Sequence, residues 1–292
     1  MADQQFDTSI ALWGATGSGK TWLLNAFGKE LSWYNENDPE FEYSLKDLDD
    51  NYLLFTEPLN VDVAPATEAS EDHVWNFERR GRIKKSRAHQ ISSHAHRILV
   101  HDNPGKVLVD VVKGDEDNEV VFSALQNSTN MILLLDPTNV KGTPVASNSS
   151  ELTKTDYERL LAMLVEVILR KNQKVRIAVC LSKSDLVKIH LNTDEIIRVV
   201  FGDGSLRALN SPRVEKEFFR ISSVGTYRKN GKRHSNLIDG QRVENPDHWN
   251  PINVTAPFFW LFEGVERQRI AKDDWLGDRK NIYIPYPPPR EG

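Results

Sequence analysis

Eight residues near the start of the chain constrain its fold more than any other feature. Residues 14–21 read GATGSGKT and match G-x-x-x-x-G-K-[ST] at every specified position. The apolar run TSIALW (8–13) precedes them. KTWLLNAFGKELSW follows, with Trp22, Leu23, Ala26, Phe27 and Leu31 at helical spacing. The glycine-rich turn therefore joins a strand to a helix, the context in which this pattern cradles phosphate. Gly14, Gly17 and Gly19 let the backbone wrap an anion without interference from Cβ atoms. N–H groups at the helix start point at the phosphates, with the helix dipole behind them. Ala15, Thr16, Ser18 and Trp22 belong to the same candidate site by their place in or beside the loop. Lys20 is the candidate for reaching the β- and γ-phosphates, and Thr21 for offering its hydroxyl to Mg²⁺.

Further along, each apolar run ends in turn residues that carry chemistry. HRILVHDNPG (96–105) runs into D-x-x-G, which places Asp102 to hold Mg²⁺ through water. Gly105 would let its backbone N–H approach the γ-phosphate and turn away when that group leaves. NMILLLDPT (130–138) is another buried strand, and residues 151–172 have a helical apolar face of Tyr157, Leu160, Leu161, Leu164 and Ile168. KVRIAVCLSKSDLV (174–187) ends in Ser182, Lys183, Ser184 and Asp185, and a helix is expected within 193–209. KEFFRISSVGT (216–226) ends in Ser222, Ser223, Val224 and Gly225. A final helix is expected in 253–270, capped near Asn253 or Thr255 with Pro257 in its first turn. Strands alternating with helices imply an α/β fold of three layers: a mostly parallel central sheet covered by helices on both faces. In such a sheet the ligand lies at the carboxyl ends of the strands, where all these turns fall.

GATGSGKT, DNPG, SKSD and SSVG, in this order over about residues 8–270, resemble the P-loop GTPases of the Ras-like, translation-factor-related class. The resemblance implies a single G domain over 1–292 that binds GTP or GDP with Mg²⁺. By position in [NT]-K-x-D, Lys183 would lie along the guanine face and Asp185 would accept from the ring N–H and amino group. Ser182 stands where asparagine or threonine is usual. Ser222, Ser223 and Val224 are similar to the motif whose backbone N–H meets the guanine oxygen. A carboxylate suits guanine's two adjacent donors, and an adenine would leave it unsatisfied. Ras-like proteins also carry a Mg²⁺-binding switch threonine just before the second strand. Thr67, a few residues before HVWNFE, is the candidate here, and Thr56 is the alternative. After D-x-x-G, where relatives place a water-orienting glutamine or histidine, this chain has Lys106. A charged lysine cannot accept a proton, so turnover is expected to be slow, with Lys106 neutralising charge or a partner supplying the missing group. LLLDPT, the long insertion and the aromatic last helix resemble bacterial members of the double-GTPase group, which implies a switch acting on a protein effector in a conflict or defence module.

Roughly eighty residues separate Thr21 from Asp102, and the acidic, proline-punctuated stretch 33–70 reads as an insertion containing the first switch. Residues 226–252, with Asn-Gly at 230–231, are expected to be a peripheral hairpin and loop, and the proline-rich 276–292 a strap over the surface. Six basic residues crowd 79–87, a solvated hairpin between two strands or the arginine lid of a P-loop kinase or ATPase. His94 and His96, with His89 or His101, lack the cysteine or carboxylate pattern of a metal site. A formal net charge of −5 argues against nucleic acid as the partner. One cysteine, no leader-like start and no long apolar run point to a cytoplasmic chain without a membrane span. Besides the switch, a nucleotide-binding scaffold that does not hydrolyse and a P-loop ATPase or kinase stay open; the oligomeric state is not encoded in any motif.

Overall fold

The computed structural model describes residues 7–38, 41–47, 71–81, 93–114, 129–142, 152–170, 174–187, 193–230, 232–238, 242–243, 249–263, 271–272 and 280–281. Among these, seven strands form one sheet in the order β2-β3-β4-β1-β5-β6-β7. They are β1 (Thr8–Gly14), β2 (Phe41–Asp47), β3 (Glu71–Gly81), β4 (Ser93–Asp102), β5 (Asn130–Leu135), β6 (Val175–Leu181) and β7 (Val214–Arg220). From β4 to β7 every neighbour is parallel, whereas β2 and β3 are antiparallel additions at one edge. The parallel strands point their carboxyl ends to a single rim.

Helices α1 (Lys20–Asn37), α2 (Gly105–Lys113) and α3 (Lys154–Arg170) follow β1, β4 and β5. After β6 come the short α4 (Thr193–Ile196), a π turn (Ile197–Phe201) and α5 (Asp203–Leu209), and α6 (Ala256–Glu263) lies near the end. Strand periodicity splits β1 between two cores. Ala11 and Trp13 join Leu108, Leu161 and Ile177 on one face, where α2, α3 and the α4–α5 segment pack. Ile10 and Leu12 join Phe27, Trp75 and Phe258 on the other, beneath α1 and α6. That second core is aromatic: Phe27 meets Phe258 edge-on at 4.7 Å and Trp75 at 5.3 Å.

Two boundaries differ from expectation. Helix α1 continues through Asn37, and β2 lies inside the stretch read as an insertion. Asn35 accepts the Tyr43 N–H (2.6 Å) and donates to its carbonyl (2.8 Å), so the end of α1 pins β2 along β3. Strand β3 also runs beyond HVWNFE to Gly81, where Arg79 lies over the Phe41 ring at 4.9 Å. Arg79 and Arg80 therefore belong to the sheet, not to a lid. His96 packs between Phe77 (6.5 Å) and Phe262 (5.4 Å) as a ring among rings. Most of the proline-rich tail lies outside the described residues; Lys280–Asn281 pairs with Ala271–Lys272.

Candidate functional site

At the end of β1 the chain turns through a loop that favours glycine at two points: Gly17 has φ +75° and Gly19 φ +95°. Its first residue is crowded as well, since a Cβ on Gly14 would stand 2.9 Å from Leu134 Cβ. Ser18 N–H donates to the Ala15 carbonyl at 3.0 Å, closing the loop on itself, and Leu23 N–H reaches Gly19 as α1 begins. Lys20 is buried, and its Nζ donates to the Gly14 carbonyl at 3.1 Å, folding the side chain back over the loop. Burial lowers the Lys20 pKa, and the nearby Asp102 carboxylate opposes this in part. Thr21 and Trp22, half-buried, open α1.

Strand β4 delivers Asp102, itself buried, alongside this loop. The next residue fastens the turn to β1: Asn103 N–H and Nδ2 both donate to the Leu12 carbonyl, at 3.3 and 3.4 Å. Gly105 is there because nothing larger fits. A Cβ on it would lie 2.4 Å from Thr16 N and 2.6 Å from Ala15 C, both backbone atoms of the GATGSGKT loop. Lys106, one residue on, is exposed at the start of α2. For a divalent cation the donor set fits: a hydroxyl on Thr21 and a buried carboxylate on Asp102 are the hard oxygens Mg²⁺ prefers. Thr21 and Asp102 would hold it, and it would neutralise phosphate charge. Thr67 and Thr56, the two switch threonines considered, lie outside the described residues.

The third turn, after β6, is tied to both of its neighbours. Ser182, buried, donates its N–H to the Leu135 carbonyl (3.0 Å), and Ser184 its N–H to that of Ile221 (3.1 Å). Lys183 adopts φ +50°, unusual for a residue with a side chain. Its Nζ forms an ion pair with Asp136 Oδ2 at 2.7 Å and lies 3.4 Å from Thr138 Oγ1. Asp136, fully buried at the end of β5, accepts from the Thr138 N–H (2.8 Å) and hydroxyl (2.7 Å). Asn139 Nδ2 then donates to the Thr16 carbonyl of the GATGSGKT loop at 2.9 Å. The turn D-P-T-N thus bridges the lysine of SKSD to the loop of GATGSGKT. Asp136 and Thr138 close NMILLLDPT and Asn139 follows it, and none of the four motifs gives them a role. The signal for one was an acidic turn at the end of a fully apolar strand, where Asp102 and Asp185 also fall.

Asp185 is held from two sides. Ser222 Oγ donates to its Oδ1 at 2.7 Å and accepts the Gly225 N–H at 2.9 Å. Ser235 Oγ donates to its Oδ2 at 2.5 Å, from the second strand of a hairpin, β8 (Thr226–Lys229) and β9 (Lys232–Ser235). Trp249 Nε1 donates to the Ser223 carbonyl at 2.8 Å, and Val224 is buried beside it. Within 226–252, expected as a peripheral hairpin and loop, Ser235 meets Asp185 and Trp249 meets the SSVG turn. The hairpin starts directly after Gly225, and the Asn236 N–H donates back to the Gly225 carbonyl at 3.1 Å.

A sheet of this order, antiparallel at one edge, brings GATGSGKT, DNPG, SKSD and SSVG to one rim. The fold is the expected α/β one, a mostly parallel central sheet with helices on both faces. No family model and no curated protein matches the chain. Solved structures similar to it include the signal recognition particle receptor SRb-GTP/SRX complex from Chaetomium thermophilum. That likeness has 15% identity and a TM-score of 0.40 over 76% of this chain and 93% of the other. The S. cerevisiae Ski7 GTPase-like domain, bound to GTP, matches 88% of this chain and 50% of its own, at 15% identity and a TM-score of 0.39. The small COPII coat GTPase SAR1 from Encephalitozoon cuniculi, in complex with GDP, matches 74% of this chain and 70% of its own. The values there are 11% identity and a TM-score of 0.27. No helix among the described residues is long and apolar enough to cross a membrane.

Proposed function

We propose that this chain is a guanine-nucleotide switch. It binds GTP with Mg²⁺ in the cytoplasm, hydrolyses it slowly alone, and uses the loss of the γ-phosphate to license or release a protein effector. One observation carries the reading: Lys183 of SKSD is tied to Asp136 and Thr138, and the neighbouring Asn139 to Thr16 of GATGSGKT, so the turns that carry Asp185 and Lys20 are fastened to one another. A phosphate end and a base end fixed to each other suit a whole nucleotide rather than an isolated anion. An acidic base end favours guanine, whose ring N–H and amino group are adjacent donors. Gly105, pressed against Thr16, is where a change at the phosphates would be felt by α2. The resemblance of the motifs to the double-GTPase group supports an effector within a bacterial defence module.

Calorimetric titration with GTP and ATP in parallel, each with Mg²⁺, tests the base end. GTP should bind and ATP should not, and Asp185→Ala should lose roughly 100-fold in GTP affinity while tripolyphosphate still binds. Tighter ATP binding would move the chain to the ATPases. Phosphate release by the protein alone should be on the order of 10⁻³ per second or slower. A scaffold that never hydrolyses is the second reading. Exposed Lys106 favours it, standing after D-x-x-G where a proton acceptor would be expected. Release of phosphate on adding an effector would exclude it.

A further inference from the structure

Residues 249–252, which belong to none of the four motifs, grip the backbone of SSVG from one side. Ser222 exchanges two bonds with Ile252: its N–H donates to the Ile252 carbonyl at 3.0 Å, and its carbonyl accepts the Ile252 N–H at 2.8 Å. The next carbonyl, that of Ser223, accepts from Trp249 Nε1 at 2.8 Å. Trp249 is buried, and Lys29 Nζ on α1 lies 5.9 Å from its ring centroid. Gly225 is packed against the same segment, since a Cβ there would fall 2.0 Å from the Asn250 carbonyl oxygen. Two successive carbonyls of the turn are thus held by one short stretch of chain.

A trans peptide unit is planar, and its N–H points opposite to its C=O. With the carbonyls of Ser222 and Ser223 both turned toward 249–252, the N–H groups of Ser223 and Val224 are turned away from it. The N–H groups on either side of these two are spent: that of Ser222 on Ile252, and that of Gly225 on Ser222 Oγ at 2.9 Å. Ser223 and Val224 donate to nothing among the described residues, although Val224 is buried. Buried backbone donors are nearly always paired, so two neighbouring ones left open mark a site for an acceptor from outside the chain. Two convergent donors suit one oxygen with two lone pairs. Ser222 Oγ, on the same turn, donates to Asp185 Oδ1, so the donor pair and the base-reading carboxylate are set by one turn. On the edge of guanine that carries the ring N–H and amino group, the next group is the oxygen on C6. Hypoxanthine carries that oxygen too, adenine has an amino group in its place, and 2-aminopurine has nothing there. We infer that Trp249 is a positioning residue of the base site: by holding the Ser223 carbonyl it aims the Val224 N–H, beside that of Ser223, at the C6 oxygen of the purine. The inference rests on the guanine reading above and deepens it.

The test uses the full chain, with GDP, IDP, ADP and 2-aminopurine riboside diphosphate titrated by calorimetry against the parent and Trp249→Phe. Melting curves are taken alongside. Phenylalanine keeps an aromatic ring but has no donor. Trp249→Phe should lose about tenfold for GDP and for IDP alike, whereas 2-aminopurine riboside diphosphate, with no oxygen on C6, should bind as it does to the parent. Equal losses for all three would overturn the inference, because a tryptophan that only supports the fold weakens them together. Unchanged affinities for all three would also overturn it. Either result, with the parent still selective for GDP over ADP, leaves the guanine reading standing. Amide exchange in the parent reads the donors directly: GDP and IDP should slow exchange at Ser223 and Val224, and 2-aminopurine riboside diphosphate should not. Protection by all three diphosphates, or by none, would overturn the inference. Should Trp249→Phe melt below the assay temperature, Trp249→His, whose shorter ring carries its N–H less far, takes its place. It must weaken GDP and leave 2-aminopurine riboside diphosphate unmoved for the inference to survive. A parent that binds ADP as well as GDP, or binds neither, would bring down both proposals.

Discussion

Lys20 illustrates how a residue proposed to bind phosphate can work against the stability of its own fold. Buried, with only the Gly14 carbonyl as its hydrogen-bond partner among the contacts described, it has a lowered pKa. Burial is the larger cause and the attraction of Asp102 the smaller. The sign follows from linkage: the unfolded chain holds this proton more tightly than the folded one, so stability rises with pH between the two pKa values. Below the folded value the cost is complete; toward the ordinary value of 10.5 it disappears. Lys20→Met should therefore melt at or slightly above the parent at neutral pH, and the margin should narrow as the pH is raised toward about 10. Triphosphate affinity should meanwhile fall by more than about 100-fold, since a charge-assisted contact is lost. Melting curves across pH, paired with calorimetry, check both halves. A Lys20→Met variant far less stable than the parent would show that Asp102 depends on the ammonium more than burial opposes it.

Helix α6 is held at both ends by residues far away in the chain. Glu30, fully buried on α1, accepts the Asn253 N–H (2.6 Å), the Thr255 N–H (2.7 Å) and the Thr255 hydroxyl (2.9 Å). A carboxylate thus caps the start of α6, where the helix dipole favours negative charge. At the other end Arg176 donates to the carbonyls of Trp260 (2.8 Å) and Leu261 (2.7 Å) and lies 4.3 Å from the Trp260 ring centroid. The aromatic residues between these clamps fill the core beneath α1. Glu30→Ala should cost about 3 kcal/mol or more by stranding buried N–H groups, and Glu30→Gln about half as much. Urea unfolding measures this. A loss under about 1 kcal/mol for the alanine variant would mean that water replaces the cap. As the Ser222–Ile252 bridge ties the segment before α6 to the SSVG turn, nucleotide affinity should weaken with it.

Among the described residues a seven-stranded sheet carries a core on each face, and the four motifs lie at one rim of it. Loops from β1, β4, β5, β6 and β7 meet there and hold one another by side chains more than by backbone pairing. A ligand that engages several of them at once should stabilise the entire fold. At a hundredfold excess over Kd, GTP with Mg²⁺ should add about 2.7 kcal/mol. For a chain of this size that corresponds to a rise in Tm on the order of 5–10 °C. ATP at the same concentration should give no shift, and Asp185→Ala should abolish the GTP shift. A thermal-shift series over nucleotide concentration measures all three.

Periodicity and turn chemistry within short windows sufficed for much of this. The strand–loop–helix around Lys20, the largely apolar β5 and β6, and the aspartates closing β4 and SKSD could all be read locally, because burial on both faces forces a nearly unbroken apolar run and a turn of this shape needs its glycines in place. Sheet order then brought together what no window contains. Asp136 and Lys183 are 47 positions apart yet 2.7 Å from each other, and Ser235 reaches back across 50 residues to Asp185. Even the extent of α1 depended on Asn35 finding the backbone of Tyr43 in a strand laid along β3. A side chain's type is written in its codon, but its partner is chosen by which strand ends lie side by side, and that follows only from packing two cores against one sheet.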